Sequence, residues 1–165
     1  MYIFKSNVGC FLQNRQGERM KTLYTAFKGV NNTSCQLVTA INKESLFLTN
    51  SFQGIERDIG DPCPNYDTVV MFGVDKALVN CIRIEGCAKH NGETIFSTYD
   101  IKLLEQKINQ AKIPYNISYK PTKYLCNFAY WYMLHKISNT IFVHIPSIGR
   151  MTPDFMKILI DFFRN

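Results

Sequence analysis

Phe142-Val143-His144-Ile145-Pro146 closes an apolar, strand-like run and halts it at a proline. Just upstream, Tyr124-Leu125-Cys126-Asn127 puts a cysteine at the front of an apolar helical run reaching residue 137. A helix followed at once by a buried strand is the repeating unit of α/β proteins. A histidine at the C-terminal edge of such a strand lies where these folds open their clefts. A thiol at a helix N-terminus feels the positive end of the helix dipole, which favours thiolate. Cys126 and His144 therefore form a candidate nucleophile–base pair.

Outward from this pair the chain keeps alternating. Residues 22–27 read as a buried strand, 28–32 as a loop with Gly29, and Thr33 or Ser34 as the cap of a helix over 35–41. A short strand at 45–48 and a brief helix at 53–59 precede the loop punctuation of Gly60-Asp61-Pro62-Cys63-Pro64-Asn65. The β-branched run 67–72, ending at Gly73, suits a central parallel strand. Strands at 81–88 and 93–98 flank a hairpin turn at His90-Asn91-Gly92, and Asp100 caps an amphipathic helix with Ile101, Leu104 and Ile108 on one side. A strand at 116–119, the cysteine helix at 124–137, the strand 140–145 and a helix opened by Thr152-Pro153 complete the chain. The expectation is a three-layer α/β/α fold with a mixed, mostly parallel twisted sheet. Residues 1–19 fit this pattern poorly and read as an N-terminal extension, with one domain over 20–165.

At 165 residues the chain is long enough for one well-cored domain. Hydrophobic residues at 46% and charged residues at 19% exclude a disordered chain. No stretch has the length of apolar sequence a transmembrane helix needs, and no signal peptide is evident, so a cytoplasmic protein without membrane attachment is expected. The six cysteines, at 10, 35, 63, 81, 87 and 126, are read as free thiols. A net charge of +6 invites a nucleic-acid reading, but the basic residues are scattered rather than clustered, and no nucleic-acid partner is expected.

Each candidate has a plainer alternative. Cys126 could be a small buried hydrophobe, and His144 a hydrogen-bonded strand-end residue. A carboxylate could orient the histidine, and Glu85 in Ile82-Arg83-Ile84-Glu85-Gly86-Cys87-Ala88 is one candidate. It could equally sit on a solvated face or pair with Arg83 or Lys89, and spacing alone does not prefer it over Glu93 or Asp75. Cys81, Cys87 and His90 match no zinc spacing, so no metal is expected. Phe128, Tyr130, Trp131 and Tyr132, at helical spacing, read as core and interface rather than a stacking platform.

These residues carry a resemblance. Tyr124-Leu125-Cys126-Asn127, continuing through Trp131 to Leu134-His135, resembles the nucleophile segment of the pyroglutamyl-peptidase I (pyrrolidone-carboxylate peptidase) family of cysteine peptidases, with Ser118 placed like its upstream serine. Phe142-Val143-His144-Ile145-Pro146 is similar to the family's histidine segment, and Ile82-x-x-Glu85-x-x-Ala88 to its glutamate segment. Lys21-Thr22-Leu23-Tyr24-Thr25-Ala26-Phe27 and Asn32-Thr33-Ser34 resemble its first strand and the helix opening after it. The order Glu–Cys–His is also the family's. The chain departs from the pattern in a shortened glycine-rich loop near Val30, in Asp75-Lys76-Ala77-Leu78-Val79 where the family has a Gly-Gly-Arg-type turn, and in Thr122 or Lys123 where it has a glycine. The resemblance implies a divergent peptidase acting on N-terminal pyroglutamyl peptides. It implies Glu85, Cys126 and His144 as catalytic residues, Phe27 and Leu125 against the lactam ring, no cofactor, and a homo-oligomer. Alternatives are a same-triad hydrolase of another small amide or thioester, and a catalytically silent binding domain.

Overall fold

Three apolar runs build the middle of the sheet. In the computed structural model, which describes residues 20–60 and 65–165, Thr22–Phe27 (β1), Thr68–Val74 (β3) and Thr140–Ile145 (β8) are buried almost end to end. Strands covered on both faces are continuous apolar runs rather than alternating ones. Ser45–Leu48 (β2) flanks β1, while Ile82–Glu85 (β4) and Tyr115–Ser118 (β7) lie beyond β8. The order is β2-β1-β3-β8-β4-β7, and every neighbouring pair is parallel except β4 against β8. The expected three-layer fold with a mixed, mostly parallel sheet is the observed one.

Helices cover both faces. Thr33–Ile41 (α1), Ile101–Gln110 (α3) and Pro153–Arg164 (α5) pack Leu37, Leu104, Ile108 and Leu159 against Val70, Phe72, Ile84 and Val143. On the opposite face, Phe52–Gly60 (α2) and Leu125–Lys136 (α4) press Ile55, Ile59, Phe128 and Met133 onto Val69, Met71 and Phe142. The small hairpin Cys87–His90 (β5) and Glu93–Phe96 (β6) packs beside α4.

Local chemistry explains where the boundaries differ from expectation. The cap of α1 is Asn32, one residue before either expected cap: its side-chain oxygen accepts from the backbone N–H of Ser34 at 2.9 Å and of Cys35 at 3.3 Å. The strand expected over 81–88 is two strands. It breaks at Gly86, whose N–H donates to Ser118 O and whose carbonyl accepts from Ser97 N, and the chain leaves the main sheet for the hairpin. The hairpin turn itself is Asn91-Gly92, both at positive φ (48° and 83°), the geometry that a two-residue turn between right-twisted strands demands. The extension expected at 1–19, and most of the turn expected over 60–65, lie outside the described residues.

The Asn32 cap has a measurable value. Asn32→Ala is expected to destabilise the domain by about 1 kcal/mol, read as a lower urea midpoint with an unchanged slope.

Candidate active site

The sheet register brings the candidate residues together. In the antiparallel pair β4–β8, Arg83 stands opposite His144, and Glu85 opposite Phe142. In the parallel pair β3–β8, Gly73 stands opposite His144. Because side chains alternate along a strand, Arg83, Glu85, Phe142 and His144 share one face, the face that α4 covers. Cys126 is the second residue of α4, just after Tyr124 at the helix start.

Glu85 and His144 are both buried, 5% and 6% exposed. His144 Nδ1 lies 2.7 Å from Glu85 Oε1. The same carboxylate oxygen accepts from Arg83 Nε at 2.7 Å, and Arg83 also pairs with Asp75 at 2.5 Å. Burial opposes the charge on Glu85, but hydrogen bonds from His144 and Arg83, with their attraction, outweigh it and hold the carboxyl below its ordinary range. Asp75 is likewise held down: burial opposes its charge, but the backbone N–H of Ala77 and Arg83 prevail. An ionised Glu85 only accepts, so the proton on this hydrogen bond belongs to His144 Nδ1, and Nε2 is the nitrogen left to accept.

Cys126, Glu85 and His144 line one small cavity of about 10 Å³, together with Thr122, Asn127 and Phe142. That is room for roughly one water molecule. Gly73 backs onto two of these lining residues: a Cβ there would come within 2.7 Å of the Phe142 ring and 3.0 Å of Cys126 Sγ, so only glycine leaves the thiol its space.

The thiolate expected from the helix dipole is not the resting state. Burial pushes the Cys126 thiol up to about 11; its own backbone N–H pulls the other way, but the negative charges of Glu85 and Asp75 add to the rise. Desolvation beside two carboxylates outweighs the end of one helix. At neutral pH Cys126 is therefore a neutral thiol.

The other expected residues fall elsewhere. Phe27 is 4% exposed at the end of β1, in the cluster with Phe128 and Phe142, and Leu125 packs against the same cluster. Neither lines the cavity at Cys126. Of the carboxylates that rivalled Glu85, Glu93 pairs with His135 at 3.2 Å, and Asp75 sits one step away on the far side of Arg83. Cys81 and Cys87 are free thiols, His90 packs on Phe128 and Trp131, and no metal-binding group of three occurs among the described residues.

Two contacts that sequence reading did not anticipate fix the frame. Tyr130 Oη donates to Glu85 O at 2.9 Å. The Asn127 side chain accepts from Lys89 N at 3.0 Å and donates to Lys89 O at 2.6 Å. Arg83 was visible only as a possible partner of Glu85. The signal that could have raised it was the two-residue spacing, which puts 83 and 85 on one strand face.

No family model matches the chain, and no curated protein matches it in sequence. Solved structures do. The pyroglutamyl peptidase I of Bacillus amyloliquefaciens aligns with a TM-score of 0.75 at 16% identity, over 88% of this chain and 94% of that one. The chain has the pyrrolidone carboxyl peptidase fold. The enzymes so named from Thermus thermophilus (TM-score 0.70, 16% identity, 87% and 96% covered) and Fervidobacterium islandicum AW-1 (0.69, 19%, 88% and 95%) align as fully. Such agreement in shape at such low identity is consistent with a divergent member of the pyroglutamyl-peptidase I family. Function resides in a site rather than in a fold, so the chemistry rests on the residues above.

Two outcomes follow from these charges. Alkylation of Cys126 by iodoacetamide, followed by peptide mapping, is expected to be slow at neutral pH and to rise about tenfold per pH unit towards pH 11; fast alkylation at pH 6 would contradict the neutral resting thiol. A carboxyl depressed on folding stabilises the protein above its unfolded value, about 4.3 for glutamate, and that stability is lost as pH falls through the depressed value. Arg83→Met removes one of the depressing donors. Its stability is therefore expected to begin falling at higher pH than that of the wild type, as read from acid unfolding followed by circular dichroism.

Proposed function

We propose that this chain is a cysteine peptidase that removes N-terminal pyroglutamyl residues from peptides, with Cys126 as nucleophile, His144 as general base and acid, and Glu85 as the carboxylate that orients the imidazole. One observation supports the reading above all: a buried 2.7 Å hydrogen bond between Glu85 and His144 Nδ1 borders the same cavity as Cys126, at the front of a helix.

The chemistry balances on these three groups. His144 Nε2 takes the Cys126 proton as Sγ attacks the pyroglutamyl carbonyl carbon, and the imidazolium is stabilised by Glu85. Backbone N–H groups at the start of α4 hold the oxyanion, each worth about 3 kcal/mol of barrier. Collapse breaks the C–N bond, and His144 hands its proton to the departing amine. Water, deprotonated by His144, then attacks the thioester, releasing pyroglutamate and restoring the thiol. A neutral resting thiol suits this order, because charge separates only when substrate is in place. Phe27 and Leu125 are assigned to the lactam ring by family resemblance. The same resemblance carries the proposal of a cytoplasmic homo-oligomer; among the described residues no helix is long and apolar enough to cross a membrane.

A second substrate class, another small amide or thioester cleaved by the same three groups, is favoured by one observation. Neither ring-packing candidate lines the cavity at Cys126.

Release of a fluorogenic pyroglutamyl amide under reducing conditions tests the reading. Wild type is expected to turn over, Cys126→Ala to lose roughly a thousandfold or more, and Glu85→Gln roughly a hundredfold or more in kcat. No turnover by wild type, with Cys126 alkylated as described above, would reassign the substrate to the second class.

A further inference from the structure

The triad cavity holds no more than a water, but it does not stand alone. Thr122 lines it and also lines two open clefts, of about 630 Å³ and about 700 Å³. Lys120 and Tyr124 belong to both clefts, so the segment between β7 and α4 is the ridge separating them. Their walls are one-sided in charge. The smaller cleft carries Lys76, Lys120 and Arg83; the larger carries Lys89, Lys120 and Lys123. Among the described residues the single carboxylate on either lining is Asp75, and its charge is already committed to Arg83 and to the Ala77 N–H. None of the four lysines has an ion pair with a carboxylate among the described residues. Beside them stand the rings of Tyr119 and Tyr124, 56% and 76% exposed.

An enzyme that cleaves behind the first residue places one residue on the acyl side and all the rest on the amine side. Past that single acyl residue the rest of the substrate is the leaving peptide, and in either cleft it meets uncompensated ammonium groups. We propose that the clefts beside the triad select substrates whose first residues after the scissile bond are acidic, their carboxylates meeting Lys76, Lys120 and Lys123. This rests on the peptidase reading and adds its substrate class. Unpaired lysines beside a low-dielectric cavity focus a positive field onto the approaching chain. The exposed tyrosines supply apolar walls for whatever side chains alternate with the acids.

Binding to the full-length Cys126→Ala protein tests this without turnover. The probes are two dye-labelled pentapeptides with an N-terminal pyroglutamyl group, one with Glu-Glu and one with Lys-Lys at the next positions, read by fluorescence anisotropy. At low salt the acidic peptide is expected to bind about tenfold tighter, as several partly screened ion pairs would give, with the advantage shrinking at high salt. Adding Lys76→Glu, Lys120→Glu and Lys123→Glu together is expected to invert the preference, and Lys120→Glu alone to reduce it. Equal binding of the two peptides, a preference for the basic one, or a preference that survives the triple substitution would overturn the proposal. So would a short single-stranded oligothymidylate that outcompetes the acidic peptide, since the lysines would then be a nucleic-acid surface. The peptidase reading fails separately, through absent turnover by wild type while the charge preference stands.

Discussion

Glu85 and His144 meet because β4 enters the sheet antiparallel to β8. A parallel β4 would bring a different register against the histidine. As it is, the pairing sets Arg83 opposite His144 and carries Glu85 one pleat further on the same face. A single carboxylate oxygen then accepts from both the imidazole and the guanidinium. The β4–β8 pairing is the one antiparallel ladder in an otherwise parallel sheet, and β4 and β7 together run against the other four strands.

Burial makes that cluster consequential. Removing a carboxylate and a guanidinium from water costs several kcal/mol per ion unless each is paired and hydrogen-bonded. Here Glu85 has two donors, and Arg83 has two carboxylates. The arrangement also governs the sulfur. Two ionised carboxylates near a desolvated thiol oppose a third anion, so Cys126 stays protonated although it begins a helix.

Much of this was legible in the amino-acid order because buried parallel strands and capped helices write strong patterns. The strands 22–27, 45–48 and 140–145 are found at the expected residues, and the cysteine helix differs by one residue at each end. Asn32 was missed because three consecutive residues, Asn32-Thr33-Ser34, are all good caps, and only backbone geometry chooses among them. The break at Gly86 was missed because Ile82, Ile84, Cys87 and Ala88 are apolar on both sides of it, and nothing local marks the change of sheet. Glu85 could not be separated from Asp75 and Glu93 by spacing, since the choice depends on which strand lies beside β8, a long-range fact; family resemblance selected it. The resting state of Cys126 was misjudged for the same reason. A helix terminus is visible in sequence, whereas the burial that outweighs it and the carboxylates of Glu85 in β4 and Asp75 just after β3 are long-range facts.

Tyr130 and Asn127, three residues apart on α4, moor that helix at two points: one to the carbonyl of Glu85, the other to both polar groups of Lys89 in the hairpin. Cys126 rides between the strand that carries the carboxylate and the hairpin that follows it, so sulfur and carboxylate belong to one mechanical body. The segment from 119 to 124 is attached differently, arching from β7 to the start of α4 across the cleft mouths. Reshaping that arch therefore changes what is admitted without changing what is done to it. A scaffold divided in this way lets the entrance drift far in sequence while the reacting groups keep their places.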